Sequence, residues 1–475
     1  MFFSVYTLGC KLNQLETEAI TDSFIRQGFR FIPWELLNKA AEENGPSGEN
    51  SIIVINTCTV TSMAEQKARR VIRKALRDHA QSCIIVTGCY AQMDGAALTA
   101  LENAPSGRLF VIPGDKKDRL LDLPRFLANP ENQEQWPVLI ASWLATEPPN
   151  ESSADRAFRF TPEKFSSHSR GFLKIQDGCD RRCAYCRVSL ARGESKSLAA
   201  DEALRLLLAM EERGIAEAVL TGVNISQYHS SRMGLFELLD FLISGTRTIR
   251  LRLSSFEPWP KSFGNEDVLI KVLENQRVRP HFHLSMQSGS AKILERMSRP
   301  YTPEDIEETV SFLRRIRRDP FLACDIIAGF PGETEEAFAE TRVVLEKIGF
   351  AWIHAFPFSP RPGTAAFDFS GKVSEKDTAV RAELLTGLAR KGRREYVSRW
   401  LGEDVEAVVE ASNGTKNGFE PAVSENYLKL LVNCAEKPKP GALIRCRILP
   451  PADQQASRMA ALANSRFDAI AERTG

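Results

Sequence analysis

The sequence predicts an α/β protein in three parts: an N-terminal α/β unit, a partial or full parallel (β/α) barrel, and a small C-terminal all-β unit. Three observations carry this. From Ala199 to Phe356, helical patterns alternate with apolar runs of strand length, the rhythm of βα units that wind a parallel sheet. Ahead of that series, three apolar runs each end at a cysteine, at Cys10, Cys58 and Cys89. Beyond Gly402 the texture changes to short alternating runs separated by Asn413-Gly414, Asn417-Gly418 and Pro438 to Pro440, the pattern of a small antiparallel barrel or sandwich.

At 475 residues the chain is too long for one core, and two to three domains are expected. Its hydrophobic fraction of 43% and charged fraction of 26% exclude a disordered or fibrous chain. No apolar run has bilayer-spanning length. The opening MFFSVYTLGCKLNQLETEAI has no basic segment leading into a sustained apolar one, so no signal peptide is expected. A cytoplasmic protein without membrane association follows as the expectation. In such a compartment ten cysteines point to metal ligands rather than disulfides. The net charge of +1 gives no bulk argument for nucleic acid. Basic clusters at Lys67 to Arg77, Arg314 to Arg318 and Arg390 to Arg399 read, each alone, as solvated helix faces.

In chain order, Phe2 to Tyr6 forms a strand that stops at Gly9-Cys10, and Leu15 to Gln27 has helical spacing. Polar Asn38 to Asn50, with Gly45-Pro46 and Gly48, is expected to be a loop. Ser51 to Ile55 is a strand that delivers NTCTVT with Cys58, Ala64 to Leu76 is helical, and Cys83 to Thr87 ends at Gly88-Cys89. Parallel strands put their carboxyl ends on one sheet edge, so Cys10, Cys58 and Cys89 are expected to converge. A lone thiol at such a place is commonly a small buried hydrophobe. Three of them at three similar strand ends favour a metal site. Cys83 lies inside its strand pattern and is expected in the core.

Residues 129–160 are rich in Pro, Glu, Asn and Ser and read as a linker with one small apolar segment, Trp136 to Leu144. The expected domains are therefore 1–128, 161–400 and 401–450, followed by a tail, 451–475. Between 199 and 356 the helices Ala199 to Glu212, Gly234 to Ile243, Asp267 to Gln276, Pro303 to Arg317 and Glu333 to Ile348 alternate with strands. Those strands are Glu217 to Thr221, Ile249 to Leu253, His281 to Leu284, Phe321 to Ala328 and Ala351 to Phe356. Active residues of such folds sit at strand carboxyl ends, so Thr221-Gly222, Ser254-Ser255, Ser285 to Ser288 and Gly329 to Glu333 are expected to line one mouth. Cys434 and Cys446 have no partnered spacing and are read as packing residues.

The stretch Lys174 to Gly193, KIQDGCDRRCAYCRVSLARG, sets Cys179, Cys183 and Cys186 on one loop. Three thiolates at this spacing suit three corners of a cubic iron–sulfur cluster and leave the fourth iron open, which points to catalysis. Zinc is the competing reading, but structural zinc sites close with four ligands and the fourth is missing locally.

This CxxxCxxC loop resembles the cluster-binding loop of the radical S-adenosylmethionine superfamily. LTGVN at Leu220 to Asn224 and DIIAGFPGE at Asp325 to Glu333 resemble that superfamily's contacts to the methionine and adenine parts of the cofactor. Along nearly the whole chain, TLGCKLNQLETEAI, VINTCTVT, VTGCYAQ, LRLSSFEP, HFHLSMQSGS and FPFSPRPGT resemble the methylthiotransferase family. The resemblance implies an N-terminal domain holding an auxiliary 4Fe-4S cluster on Cys10, Cys58 and Cys89, a radical-SAM barrel, and a TRAM-like RNA-binding domain. It implies a second 4Fe-4S cluster on Cys179, Cys183 and Cys186 as the catalytic group. Thr221, Gly222, Asn224, Ser255, Gln287, Gly329 and Glu333 are the implied S-adenosylmethionine contacts. GCKLNQLETEA and NTCTVT resemble the branch acting on threonylcarbamoyladenosine beside the tRNA anticodon; the isopentenyladenosine branch usually carries Gln-Met-Asn where this chain has Lys11-Leu12-Asn13, and a third branch modifies a ribosomal-protein aspartate. Arg390, Arg393 and Arg394, with the TRAM-like domain, are the candidate contacts to RNA phosphate. The chain departs from the family after Cys186, where Arg187-Val188-Ser189 replaces an Ile-Ile-Pro-like segment and only Arg192-Gly193 is kept. A protein of another class, binding RNA with two purely structural clusters, is the alternative that an open iron site argues against.

Overall fold

The structure is a computed structural model that describes residues 1–44, 51–101, 107–129, 135–146, 152–166, 168–259, 266–411, 418–450 and 467–474. Among these residues no helix is long and apolar enough to cross a membrane.

The first unit is a five-stranded parallel sheet built from β1 (Phe2–Thr7), β2 (Arg30–Phe31), β3 (Ser51–Thr57), β4 (Cys83–Gly88) and β5 (Leu109–Val111), in the order β2-β1-β3-β4-β5. Every residue of β3 and β4 is buried, which is why both read as unbroken apolar runs: helices cover both faces. Register pairs Thr7 with Asn56 and Thr57 with Gly88, so the carboxyl ends of β1, β3 and β4 finish level. Cys10, Cys58 and Cys89 leave the sheet at that edge. The loop expected from Asn38 begins instead as the end of a helix, Trp34–Asn44. Trp34 and Leu37 anchor it, with Trp34 packed 5.3 Å from the Tyr6 ring, and no helix breaker occurs before Gly45; residues 45–50 lie outside the described ones. In the segment expected to link the units, Trp136–Ala145 is a helix whose Leu139, Ile140 and Trp143 pack with Phe24, Phe29 and Phe160 in the first core. Arg119 ties it down, donating to the Trp143 carbonyl (2.7 Å) while its guanidinium lies over the indole.

The second unit is an open half-barrel. After β6 (Gly171–Lys174), a short antiparallel pair, β7 (Gln176–Asp177) and β8 (Lys196–Ser197), closes the base of the cysteine loop. The barrel strands continue as β9 (Glu217–Thr221), β10 (Arg250–Leu253), β11 (His281–Gln287), β12 (Phe321–Ala328) and β13 (Trp352–Pro357). Two three-stranded parallel sheets, β10-β9-β6 and β11-β12-β13, are stitched by bridges from Leu251 to Val278 and Phe256 to Leu284. The barrel is thus partial, with six parallel strands in chain order. One large core lies beneath its covering helices.

The third unit is a closed barrel, β14 (Asp404–Val409), β15 (Phe419–Ser424), β16 (Lys429–Asn433), β17 (Leu443–Ile448) and β18 (Ala469–Arg473), in the order β14-β15-β16-β18-β17. The expected tail therefore contributes a strand. β18 runs parallel to β16 and antiparallel to β17, and without it the barrel would present two open edges. Cys434 and Cys446 are buried in this barrel's core, and Cys83 is buried in the core of the first unit.

The small barrel docks on the amino ends of the half-barrel strands over Phe321, Ala323 and Ala351 and an arginine network organised by one buried carboxylate. Glu217, fully buried, accepts from Arg252 at 2.6 and 3.0 Å and from Arg279 at 2.9 Å. Arg252 also donates to the Ser424 and Glu425 carbonyls, and Arg279 to Glu406, all at 3.0 to 3.1 Å. Burial alone would raise the Glu217 pKa, but Arg252, Arg279 and Arg170 overcome it and hold the carboxyl down at about 2. A depressed folded-state pKa means that this stabilisation is present above the ordinary value of 4.5 and is lost as pH falls from there toward 2, on the order of 3 kcal/mol in all. Acid titration followed by fluorescence of Trp352 and Trp400 at this junction should show it loosening in that window, and Glu217→Gln should remove the transition.

Candidate active site at the strand carboxyl ends

The loop after β7 is shaped by backbone constraints before its cysteines are considered. Gly178 has φ of +68°, and a Cβ there would sit 1.9 Å from the Glu194 carbonyl oxygen, so only glycine allows the loop to fold back on itself. Cys179 N–H then donates to the Gly193 carbonyl at 3.0 Å. Cys183 Sγ accepts from Arg299 Nη1 at 3.0 Å, and Cys186 Sγ accepts from the Val188 amide at 3.4 Å. Burial pushes the Cys186 thiol up to about 11 and raises that of Cys179, so these sulfurs keep their protons until a metal displaces them into solvent.

The other three cysteines leave the edge of the first sheet. Gly88 has φ of +101°, and a Cβ there would meet the Thr57 carbonyl at 2.3 Å. This contact brings the turn carrying Cys89 against the one carrying Cys58. Burial pushes the Cys58 thiol up to about 12, reinforced by Cys10 and Cys89 beside it. All six are free thiols. Among the described residues, neither trio closes to the spacing of ligands around a single ion. Soft thiols held apart, with amide and guanidinium donors on the sulfurs, fit an iron–sulfur cluster rather than one zinc.

The two loops are clamped face to face by three arginines. Arg187, the first residue of the atypical segment, is 7% exposed and donates from Nη1 to Glu65 (3.2 Å) and Asp94 (3.4 Å). Arg361 converges on the same Glu65 carboxylate and on the Thr59 hydroxyl, one residue from Cys58. Arg192 reaches Glu16 and Asp177 with Nη1, both at 3.0 Å, and Asn13 Oδ1 with Nη2 at 2.9 Å. The departure after Cys186 is thus a docking device between units. A cavity of about 220 Å³ separates the loops, with Val60 and Thr61 on one side and Tyr185, Gln287 and Asp325 on the other.

The remaining expected contacts gather at the same mouth. Thr221 ends β9; the Asn224 amide donates to Gln176 Oε1 at 2.9 Å, and its side chain lies against Cys179. A Cβ on Gly222 would meet the Gln176 side chain at 2.8 Å. Ser255 follows β10. Gln287, with φ of +66°, ends β11 and lines the cavity. Gly329 turns at φ of +77° after β12, and its amide donates to Glu333 at 2.7 Å. Glu333 is 4% exposed and also receives Arg381 at 2.9 Å, so its carboxylate braces the Gly329 turn. Arg390, Arg393 and Arg394 are not at the mouth. They lie on the helix Glu375–Arg399 beside a second cavity, and Arg393 is paired with Asp468 at 2.7 Å.

Residues 3–107 match the uncharacterized protein family UPF0004, and residues 173–344 match the radical SAM superfamily. The two cysteine trios fall one in each region. A threonylcarbamoyladenosine tRNA methylthiotransferase MtaB of Treponema pallidum (strain Nichols) is 39% identical, covering 90% of this chain and 93% of the relative. The chain belongs to the MtaB family. It is a radical SAM methylthiotransferase, and the non-catalytic alternative falls with that. The MtaB of Aquifex aeolicus (strain VF5) is 32% identical over 89% of this chain and 95% of its own length. A tRNA-2-methylthio-N(6)-dimethylallyladenosine synthase of Koribacter versatilis (strain Ellin345) is 30% identical over 89% and 90%, so similarity at this level extends to a relative named for another nucleoside.

Several lumen residues of this MtaB-family chain cluster in a way that the motifs containing them do not show. His283 and His354 stack with rings 5.1 Å apart at 14°, and Phe356 continues the stack at 6.3 Å and 17°. Asp325 sits 2.9 Å from His283. Beyond those motifs the sequence offers only alternation, His281 and His283 on β11 and Trp352, His354 and Phe356 on β13, which marks one face of a strand without saying that the face is open.

Proposed function

We propose that this enzyme adds a methylthio group to C2 of N6-threonylcarbamoyladenosine next to the anticodon of tRNA, using S-adenosylmethionine and two 4Fe-4S clusters. The observation that carries the reading is the pair of cysteine trios, on units clamped together by Arg187, Arg192 and Arg361, with Thr61 from one side and Tyr185 from the other lining one small cavity. Adenine C2 is an aromatic carbon with no acidic proton, so general acid–base groups have no purchase on it. Cys179, Cys183 and Cys186 would hold the cluster that, when loaded, supplies radical chemistry from S-adenosylmethionine. Cys10, Cys58 and Cys89 would hold the auxiliary cluster on the opposite wall.

The protein's own groups position the reactants. Arg299 and the Val188 amide put positive ends of dipoles and charge on the loop sulfurs, which favours an anionic cluster. Thr221, Gly222, Asn224, Ser255, Gln287 and the braced Gly329-Glu333 turn form the rim for the sulfonium cofactor, and glycine at 222 and 329 lets backbone approach it closely. The parallel rings of His283, His354 and Phe356 offer a stacking surface for an unstacked base, the usual way single-stranded RNA is read. Arg390 and Arg394, on the outer helix, are placed for phosphate.

Nucleoside mass analysis of tRNA from a strain lacking this gene tests the proposal. The 2-methylthio form of threonylcarbamoyladenosine should disappear and its unthiolated precursor accumulate. Persistence of the methylthio form, or loss only from the isopentenyl nucleoside, overturns the assignment.

A further inference from the structure

Below the mouth the lumen widens into a cavity of about 620 Å³ at the junction of all three units, reached by Lys11 from the first, His283 and His354 from the half-barrel, and Tyr427 and Lys429 from the small barrel. Its charge is one-sided. Lys11, Arg390, Arg393, Arg394 and Lys429 face a single acid among its walls, Asp468, and Asp468 is already engaged by Arg393 and by the Lys429 amide. Among the described residues no carboxylate lies within ion-pair distance of the Lys11 ammonium.

We propose that Lys11, with His354 beside it on the same cavity wall, receives the carboxylate borne by the N6 substituent of the target adenosine and so decides which nucleoside is modified. This rests on the threonylcarbamoyladenosine reading. The position follows from the chain: Lys11 is the residue after Cys10, so its Cα lies about 3.8 Å from that of an expected cluster ligand. A base whose C2 faces the Cys10 loop carries its N6 substituent within reach of a lysine side chain. The two cavities adjoin in the lumen. Asp325 lines the upper cavity between the loops and contacts His283 at 2.9 Å, and His283 lines the lower one.

Anions can reach this cavity from two sources, the substituent's carboxylate and RNA phosphate. Arg390 and Arg394 are exposed on the outer helix, suited to a backbone that passes outside, whereas Lys11 lies inward beside Cys10. An apolar N6 substituent would leave the Lys11 ammonium desolvated and unpaired, so the same residue that accepts the acid rejects the hydrocarbon.

Binding separates the sources. The cluster-reconstituted chain is titrated with a fluorescent anticodon stem-loop bearing threonylcarbamoyladenosine, and with the same RNA in which the threonyl carboxylate is a methylamide. The wild-type chain should prefer the acid by about tenfold or more. Lys11→Gln should abolish the preference, Lys11→Arg should keep part of it, and Arg394→Gln should weaken both RNAs alike. Two RNAs are compared on one protein, so a poorly folded variant weakens both and cannot imitate a lost preference. If Lys11→Gln retains the preference, or weakens both RNAs equally while the preference survives, the lysine is not the receptor, and the nucleoside assignment stands on its own. A wild-type chain that neither prefers nor methylthiolates the acid RNA overturns the assignment and this inference together.

Discussion

Cys58→Ala should yield no methylthio nucleoside, hold about half of the wild-type iron, and still release 5′-deoxyadenosine from S-adenosylmethionine. Cys183→Ala should lose that release as well. The asymmetry follows from where the thiols sit. Cys58 belongs to the edge of the first sheet, near Cys10 and Cys89, whereas Cys183 is anchored by Arg299 inside the half-barrel loop. Each trio has its own backbone constraint, Gly88 for one and Gly178 for the other, so losing a ligand from one leaves the other's frame intact. Iron assay and chromatography of the nucleoside products, on anaerobically reconstituted protein, check both halves. Unchanged iron in Cys58→Ala would remove the auxiliary site, and with it the two-cluster reading.

How much of this was legible beforehand depends on the scale of the signal. The ends of β1, β3 and β4 could be read because an apolar run closing on Gly-Cys is local, and because parallel strands finish on one edge whatever the rest of the fold does. The strand ends at Thr221 and Ala328 were legible for the same reason. Residues whose role comes from a distant partner were not. Glu217 and Arg252 look like ordinary polar residues of two short strands, yet both are fully buried because a third unit covers them. In sequence Arg187 is only a departure from the family pattern; its explanation, Glu65 and Asp94, lies some hundred positions away. Strand β18 follows a long polar stretch, and nothing nearby in sequence reveals that a barrel elsewhere lacks its fifth strand. Lys11 shows the limit from the other side: its motif was visible, but only the fold reveals that its side chain enters the lumen.

Arg192 holds the two loops in register, and its replacement should be the most damaging change outside the thiols. Its fork spans Asp177 of the half-barrel and Glu16 and Asn13 of the first helix, and every one of these groups is buried. Methionine would fill the space but leave three buried acceptors without that donor. Removing one partner of a buried pair costs about 3–5 kcal/mol. Lys174 on Asp177 and Lys117 on Glu16 remain, which places Arg192→Met near the lower end. Opening between the units should then become about a hundredfold more frequent, since each 1.4 kcal/mol is about a factor of ten. Hydrogen exchange would report it as matched acceleration in the helix Lys11–Arg26 and the loop 187–193, leaving the small barrel unaffected. Arg192→Lys should recover only part, because an ammonium restores the charge but cannot span Asp177 and Asn13 with two arms of one planar group. Acceleration confined to one of the two segments would mean that Arg192 braces its own loop and does not join the two.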